Sequence, residues 1–369
     1  MSRKSSKKLY VGMDVHKESI DIALAEEGGE VRHHGRIGGD MHALARTVRK
    51  LESLGRLLVL VYEAGPCGFG IYRMLKGRGH ECWVVAPSNT PRRVRDRIKT
   101  DRRDCLKLAG LARAGELEPI YVPDAADEAM RDLVRAREDA VIMQRQARQR
   151  LGALLLRNDI RYAGKSAWTE AHRRWISSLV IARAEQRIAF EEYVQAVHES
   201  TARVHRLTQA IEQELAHWRW RPLVAALQAC RGIQLIHAAR IVAEVGDFSR
   251  FGHPRQLMGY LGMLPSEDTS GERRYQGAIT KAGNSSARRA LVEAAHAYQY
   301  RAAVTPIIAR RQTGLPQAVI DLAWKAQLRL GARFRRLAAR GLNRNKTVVA
   351  IARELAGFVW AIAQQVKPL

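Results

Sequence analysis

Four acidic residues, Asp14, Glu63, Asp101 and Asp104, are of the type and spacing that two-metal chemistry on a phosphate diester requires. Two divalent cations roughly 3.5–4 Å apart clamp the attacking and leaving oxygens of such a displacement. Hard cations such as Mg²⁺ take oxygen ligands, so a group of carboxylates is the expected donor set. A plainer role is open to each residue alone, since an Asp at a strand end is often only a turn or cap residue. What favours metal chemistry is that all four fall where one site could collect them.

The elements that must position them are legible in the hydrophobic pattern. Asp14 closes the apolar run Leu9-Tyr-Val-Gly-Met-Asp14, which predicts a short buried strand, and Ser19-Ile-Asp-Ile-Ala-Leu-Ala25 alternates as its hairpin partner. Glu63 closes a second buried strand, Leu57-Leu-Val-Leu-Val-Tyr-Glu63, followed by a Gly-Pro turn. Asp101 and Asp104 stand three apart at the start of a helical run through Leu108 and Leu111, which puts both on one helix face. The predicted order is strands Leu9–Asp14, Ile20–Ala25 and Val31–Arg36, a helix near Met41–Leu54, strand Leu57–Glu63, a helix near Phe69–Gly77 and strand Cys82–Ala86. A three-stranded meander followed by helix-separated strands is the ribonuclease H-like order.

Charge points to the partner. The 369 residues carry 62 Lys+Arg against 37 Asp+Glu, a formal net charge of +25, far from what a metabolic enzyme needs and suited to a protein that tracks phosphate backbones. The basic residues are spread along the chain, so a localisation tail does not account for them. Arg92, Arg93, Arg95, Arg97 and Lys99 stand immediately before Asp101, where a phosphate-guiding role outweighs that of a solvated face. Cys67, Cys82, Cys105 and Cys230 show no metal or disulfide spacing and are expected to be buried thiols in a reducing compartment. The basic N-terminus precedes an apolar stretch too short for a signal peptide or membrane span. A cytoplasmic protein with no membrane partner is expected.

Beyond residue 123 the pattern turns helical. Residues 127–157 form a long amphipathic helix, and Phe190, Val194, Val197, Thr201, Val204, Thr208, Ile211 and Leu215 repeat at four-three spacing. That is one arm of a helical hairpin or coiled coil, whose two seam threonines leave intermolecular and intrachain packing equally open. Trp218-Arg-Trp-Arg221 could stack bases or pack as a helix end. Cys230-Arg-Gly-Ile-Gln234 reads either as a helix-hairpin-helix lacking its second glycine or as an ordinary helical turn. A polar, glycine-flanked loop around Ser270 follows, rimmed by Arg273, Arg274 and Lys281.

Several pieces occur in one order: Tyr10-Val-Gly-Met-Asp-Val-His-Lys17, Tyr62-Glu-Ala-Gly65, Lys99-Thr-Asp-Arg-Arg-Asp104, Gly262-Met-Leu-Pro265, Ser270-Gly271 and Thr280-Lys-Ala-Gly283. Together they resemble the insertion-sequence transposases with a RuvC-like DEDD domain and a C-terminal serine domain, the bridge-RNA-guided recombinases. The resemblance implies an α/β plus α protein. Its parts would be a RuvC-like catalytic domain over 1–123, a helical hairpin or coiled coil over 124–222, and a mainly helical transposase domain over 223–369. It implies Mg²⁺ on Asp14, Glu63, Asp101 and Asp104, and Ser270 as the nucleophile that joins a DNA phosphate. It further implies a homo-oligomer, dimer or tetramer, with the two halves of the site brought together between subunits. A structured guide RNA would pair with donor and target DNA. On its residues alone Ser270 is an ordinary turn serine with Ser266, Thr269, Ser285 and Ser286 nearby. The rival reading is a RuvC-like Holliday-junction resolvase that uses water and the same carboxylates, against which the long C-terminal region argues. An actin-like ATPase would need glycine-rich phosphate loops after its hairpins, and a non-catalytic scaffold would leave four acids unexplained.

Overall fold

The computed structural model describes residues 5–88, 90, 91, 100–270 and 273–369. The chain divides into two compact units, Met1–Val122 and Pro123–Leu369. In the first, strands β1 (Ser5–Val15), β2 (Ser19–Glu26) and β3 (Val31–Gly38) precede helix α1 (Met41–Glu52). Then come β4 (Arg56–Glu63), α2 (Gly70–Gly77), β5 (Glu81–Val85) and α3 (Asp101–Ala114). The sheet order is β3-β2-β1-β4-β5, with the first three strands antiparallel and β4 and β5 parallel to β1. This mixed α/β arrangement has the predicted meander followed by crossovers.

Alternation of side chains decides which face each helix covers. Leu9, Val11 and Met13 of β1, with Ile20, Ile22 and Leu24 of β2, bury one face beneath Leu44, Val48 and Leu51 of α1 and Ile71 and Leu75 of α2. Asp40 fixes the start of α1 by accepting from the His42 and Ala43 amides at 2.9 and 2.8 Å. The other face receives α3, whose Cys105 and Ala109 meet Ala23 and Ala25 while Leu108, Leu111 and Ala112 meet Val59 and Val61. Gly12 sits directly beneath that helix. A Cβ there would lie 2.3 Å from the Cys105 carbonyl oxygen and 2.4 Å from the Ala109 nitrogen, so only glycine lets α3 approach so closely.

The second unit is mainly helical. Helices α4 (Ala125–Arg157) and α6 (Ala184–Glu214) form an antiparallel hairpin with the short α5 (Glu170–Ser177) between them. The seam threonines find polar partners inside the chain: Arg137 Nε donates to Thr208 Oγ1 at 2.7 Å, and Gln144 Nε2 to Thr201 Oγ1 at 3.0 Å. Helices α7 (Arg221–Leu227), α8 (Leu235–Val245) and α9 (Pro254–Tyr260) lead to strands β6 (Pro265–Ser270) and β7 (Arg273–Ile279). The chain then continues as α10 (Ser285–Ala295), α11 (Pro306–Gln312), α12 (Gln317–Ala339) and α13 (Arg344–Ala363). Met130, Val134, Ile211 and Leu215 of the hairpin share one core with these helices, while its far end has a separate core around Leu151, Ile176, Phe190 and Val197.

Trp218 and Trp220 pack as a helix end: both are buried and donate their indole N–H to Asp127 at 2.8 and 3.1 Å. The cysteine expectation needs one correction. Cys82, Cys105 and Cys230 are buried, which pushes each thiol up to about 12, but Cys67 is exposed in the turn after β4. All four are free thiols. Among the described residues no helix is long and apolar enough to cross a membrane.

Candidate active site

The face of the sheet that receives α3 also carries the acids. Met13 pairs with Tyr62 across the parallel β1–β4 ladder, and both side chains lie in the core on the opposite face. Asp14 and Glu63, one residue further along each strand, therefore point together toward the α3 side. Asp101 and Asp104 occupy the first turn of α3, whose cap residue Thr100 accepts from the Arg103 amide. Carboxylates are favoured in that turn by the partial positive charge of the helix N-terminus. The close approach at Gly12, two residues before Asp14, brings the turn to the strand end.

Partners are few and long. His16 Nε2 lies 3.2 Å from Asp14 Oδ2 and 3.6 Å from Asp101 Oδ1, bridging strand and helix. Asp14, His16 and Asp101 each bring one ligand atom to within 4.8 Å of the others. One cation can span that separation with metal–ligand bonds of about 2.0–2.6 Å to two carboxylate oxygens and the His16 nitrogen. Glu63 accepts from Thr90 Oγ1 at 2.9 Å. Burial pushes the Asp14 carboxyl above its ordinary value. His16 opposes this through its charge and hydrogen bond, and the charges of Asp104 and Asp101 add to the rise. Crowded carboxylates without a strong cationic partner are what an added divalent cation would relieve.

A second carboxylate layer was not legible in the sequence. Asp21 stands opposite Asp14 in the β1–β2 register and is 5% exposed. It meets His33 Nε2 at 3.0 Å and Arg36 Nε at 3.5 Å. These two β3 residues are three apart and would ordinarily face opposite ways. A bulge between the Ile22–Gly35 and Ala23–His33 pairs turns both toward Asp21. Arg36 also reaches Asp101 Oδ2 at 3.6 Å and donates to Ser19 Oγ at 2.6 Å. The one available signal was Asp21 itself, an acid on the buried side of an otherwise apolar strand.

The other expected site residues are distributed differently. Arg92, Arg93, Arg95, Arg97 and Lys99 lie outside the described residues. The predicted loop around Ser270 is instead a β-hairpin: Ser270 ends β6 and pairs with Arg273, the first residue of β7, and Thr269 pairs with Arg274. Its strands carry Ser-Glu-Asp-Thr-Ser and Arg-Arg, so no apolar alternation announced them. The side chains of Ser270, Arg273 and Arg274 are not among those described; Lys281 is exposed, with a left-handed φ of 57°. The hairpin is anchored by two glycines. A Cβ on Gly262 would lie 2.0 Å from the Ala282 oxygen, and one on Gly283 would lie 2.1 Å from the Tyr260 oxygen. Backbone bonds Lys281 N to Gly262 O and Thr280 N to Leu264 O, 3.0 and 2.9 Å, close the base of the hairpin.

Comparison with known proteins follows these features. A family model described as Transposase, of the DEDD IS110 type, matches residues 11–158, and one described as Transposase IS116/IS110/IS902 family matches residues 224–310. A Sinorhizobium fredii protein named as a transposase, y4qE, is 43% identical over 97% of this chain and 89% of its own length. The transposase for insertion sequence element IS1533 of Leptospira borgpetersenii is 32% identical over 90% of this chain and 97% of its own. That for IS1111A of Coxiella burnetii is 23% identical over 98% and 91%.

Proposed function

Because this chain belongs to the IS116/IS110/IS902 family of insertion-sequence transposases, enzymes that act on DNA, we propose that it cuts and rejoins DNA through a covalent Ser270–DNA intermediate. In this reading Asp14, Glu63, Asp101 and Asp104 hold Mg²⁺, two ions per site. What supports this reading is that Asp14, at the end of β1, and Asp101, in the first turn of α3, bring ligand atoms within 4.8 Å of each other and of His16, with Glu63 at the end of the adjacent strand and Asp104 in the same turn as Asp101. The all-oxygen donor set of the four acids suits Mg²⁺, and the family's DEDD type implies a divalent metal. Bound there, the metal would stabilise charge on the phosphate and lower the cost of ionising the nucleophile.

The protein's own residues do the rest. Ser270 Oγ forms a bond to phosphorus as the bond to the leaving deoxyribose oxygen breaks; the serine proton passes to a base or solvent and the leaving oxygen takes one up. The phosphoserine linkage conserves the bond energy, so a second strand's hydroxyl can reverse the step without a nucleotide cofactor. Arg92, Arg93, Arg95, Arg97 and Lys99 track the backbone entering the acidic site, and Arg273, Arg274 and Lys281 flank the serine hairpin. Residues 1–123 form the catalytic domain, 124–222 the hairpin arm and 223–369 the serine-bearing domain. A homo-oligomer pairs the acids of one protomer with the serine of another, and a structured RNA supplies sequence specificity for donor and target.

The test is a denaturation-resistant adduct on nicked DNA. Wild type should carry a covalently linked strand, and Ser270→Ala should lose both adduct and cleavage. Mass spectrometry should place the link at residue 270; a link at Ser266, Thr269 or Ser285 would reassign the nucleophile. Active Ser270→Ala protein giving free 5′-phosphate ends would replace this mechanism by water-driven cleavage.

A further inference from the structure

The far end of the helical hairpin holds a half-open cavity of about 550 Å³ between α4, α5 and α6, within the roughly 300–1,000 Å³ of small-ligand sites. Its floor is apolar, built from Leu151, Ile176, Val194 and Val197. Its other sides are basic: Arg148, Arg173 and Arg206 line it beside the imidazoles of His198 and His205, and no carboxylate does so among the described residues. An apolar floor beside basic side chains, with no carboxylate in the lining, asks for a flat molecule bearing negative charge.

Trp168 supplies the aromatic wall. It holds a left-handed φ of 65°, unusual for a bulky side chain. That conformation is fixed by neighbours: Arg173 donates to the Trp168 carbonyl at 3.2 Å, and His172 packs edge-on against its ring at 5.2 Å. The Arg148 guanidinium lies 4.9 Å from the ring centre. Arg148 has a buried Nε with no hydrogen-bond partner among the described residues. Burial, and after it the like charge of Arg173, depress its proton affinity. Arg173 has Glu170 at 3.4 Å, but that carboxylate is not part of the lining. An anion entering the cavity would compensate Arg148.

We propose that this cavity holds one unpaired nucleotide of a nucleic-acid strand, its base against Trp168 and the apolar floor and its phosphate on Arg148, Arg173 and Arg206. Stacking on an aromatic ring beside basic side chains is how single strands are held without regard to sequence. A chain of net charge +25 meets nucleic acid far more readily than other anions. The site is built entirely from residues of the helical unit and stands whether or not Ser270 is the nucleophile.

The experiment measures binding of oligothymidylate, oligouridylate and blunt duplex DNA to the full chain. Arg206→Glu changes an exposed side chain, so folding is not in question, and Trp168→Leu removes the stacking wall. Both should weaken single-strand binding about tenfold or more, the worth of one stacked base, and leave duplex binding unchanged. A 5-iodouridine strand should crosslink at or beside Trp168. Preference for the DNA or the RNA strand identifies the source of the nucleotide. Wild-type single-strand affinity in both variants, or crosslinks only elsewhere, would overturn the proposal. So would AMP binding as tightly as the strands, which points to a free nucleotide, or a change of sedimentation alone, which points to a second copy covering the face.

Discussion

Two sets of acids in this chain have opposite surroundings. In the helical unit Glu244 has a fully buried side chain and receives two hydrogen bonds from Arg135, at 2.7 and 2.9 Å, and one from Asn284 at 2.7 Å. Asp127, 1% exposed, takes two indole N–H groups and the Arg219 guanidinium. In the sheet unit the Asp14 and Asp101 carboxylates have, among the described residues, only His16 and Arg36 at 3.2–3.6 Å, and the Asp104 carboxylate has no hydrogen bond or ion pair to the described residues. Saturated carboxylates belong to the architecture, since both oxygens are hydrogen-bonded where water is excluded. Undersaturated ones gathered at strand ends are available for a ligand. Two acids equally conspicuous in sequence are separated by what donates to them.

The largest expected effect is catalytic. Asp14→Asn should lower DNA cleavage about a thousandfold, because a metal's contribution to such displacements is several kcal/mol. Its stability should stay at or above wild type, since a charge crowded by burial is removed. Unfolding at lower denaturant would place Asp14 with the architectural acids.

Asp127→Ala should do the reverse. Leaving two buried indole N–H groups without an acceptor costs roughly 1–3 kcal/mol each, so denaturant unfolding should fall by about 3 kcal/mol. Unchanged stability would break the distinction from the other side.

Gly12→Ala falls between the two classes. Overpacking there should cost about 1–3 kcal/mol, and because the clash is with the backbone of α3 it should also move Asp101 and Asp104 and reduce cleavage. Lost stability with full activity would show that the close approach at Gly12 does not position the acids.

The smallest effect is on pH dependence. Burial pushes the Glu244 carboxyl up, but the Arg135 and Asn284 hydrogen bonds outweigh it and hold the group below its ordinary 4.5. A depressed carboxyl contributes stability that is complete above 4.5 and is lost as pH falls through the lowered value. Glu244→Gln should flatten the acid limb of the stability curve in that window. An unchanged limb would assign the acid sensitivity to other groups.

The first unit was largely legible because its signals are local. Apolar runs ending in Asp14 and Glu63 mark strands, and Asp101-x-x-Asp104 marks a helix start. What escaped depended on partners remote in sequence. The bulge that turns His33 and Arg36 toward Asp21 has no signature in β3, and Thr90 meets Glu63 across 27 residues. The Ser270 hairpin has the sequence pattern of a loop because its strands are polar and are held by the backbone fit of Gly262 and Gly283, which hydrophobic pattern does not report. The seam threonines have intrachain donors in Arg137 and Gln144, far away in sequence, which the four-three spacing does not report.

The most direct test of the central claim is calorimetric titration of Mg²⁺, with Mn²⁺ as a second probe, into the full chain and its Asp14→Asn and Glu244→Gln variants. Binding to wild type should disappear with Asp14→Asn and persist with Glu244→Gln even where the latter is less stable. Equal binding by wild type and Asp14→Asn would contradict the account.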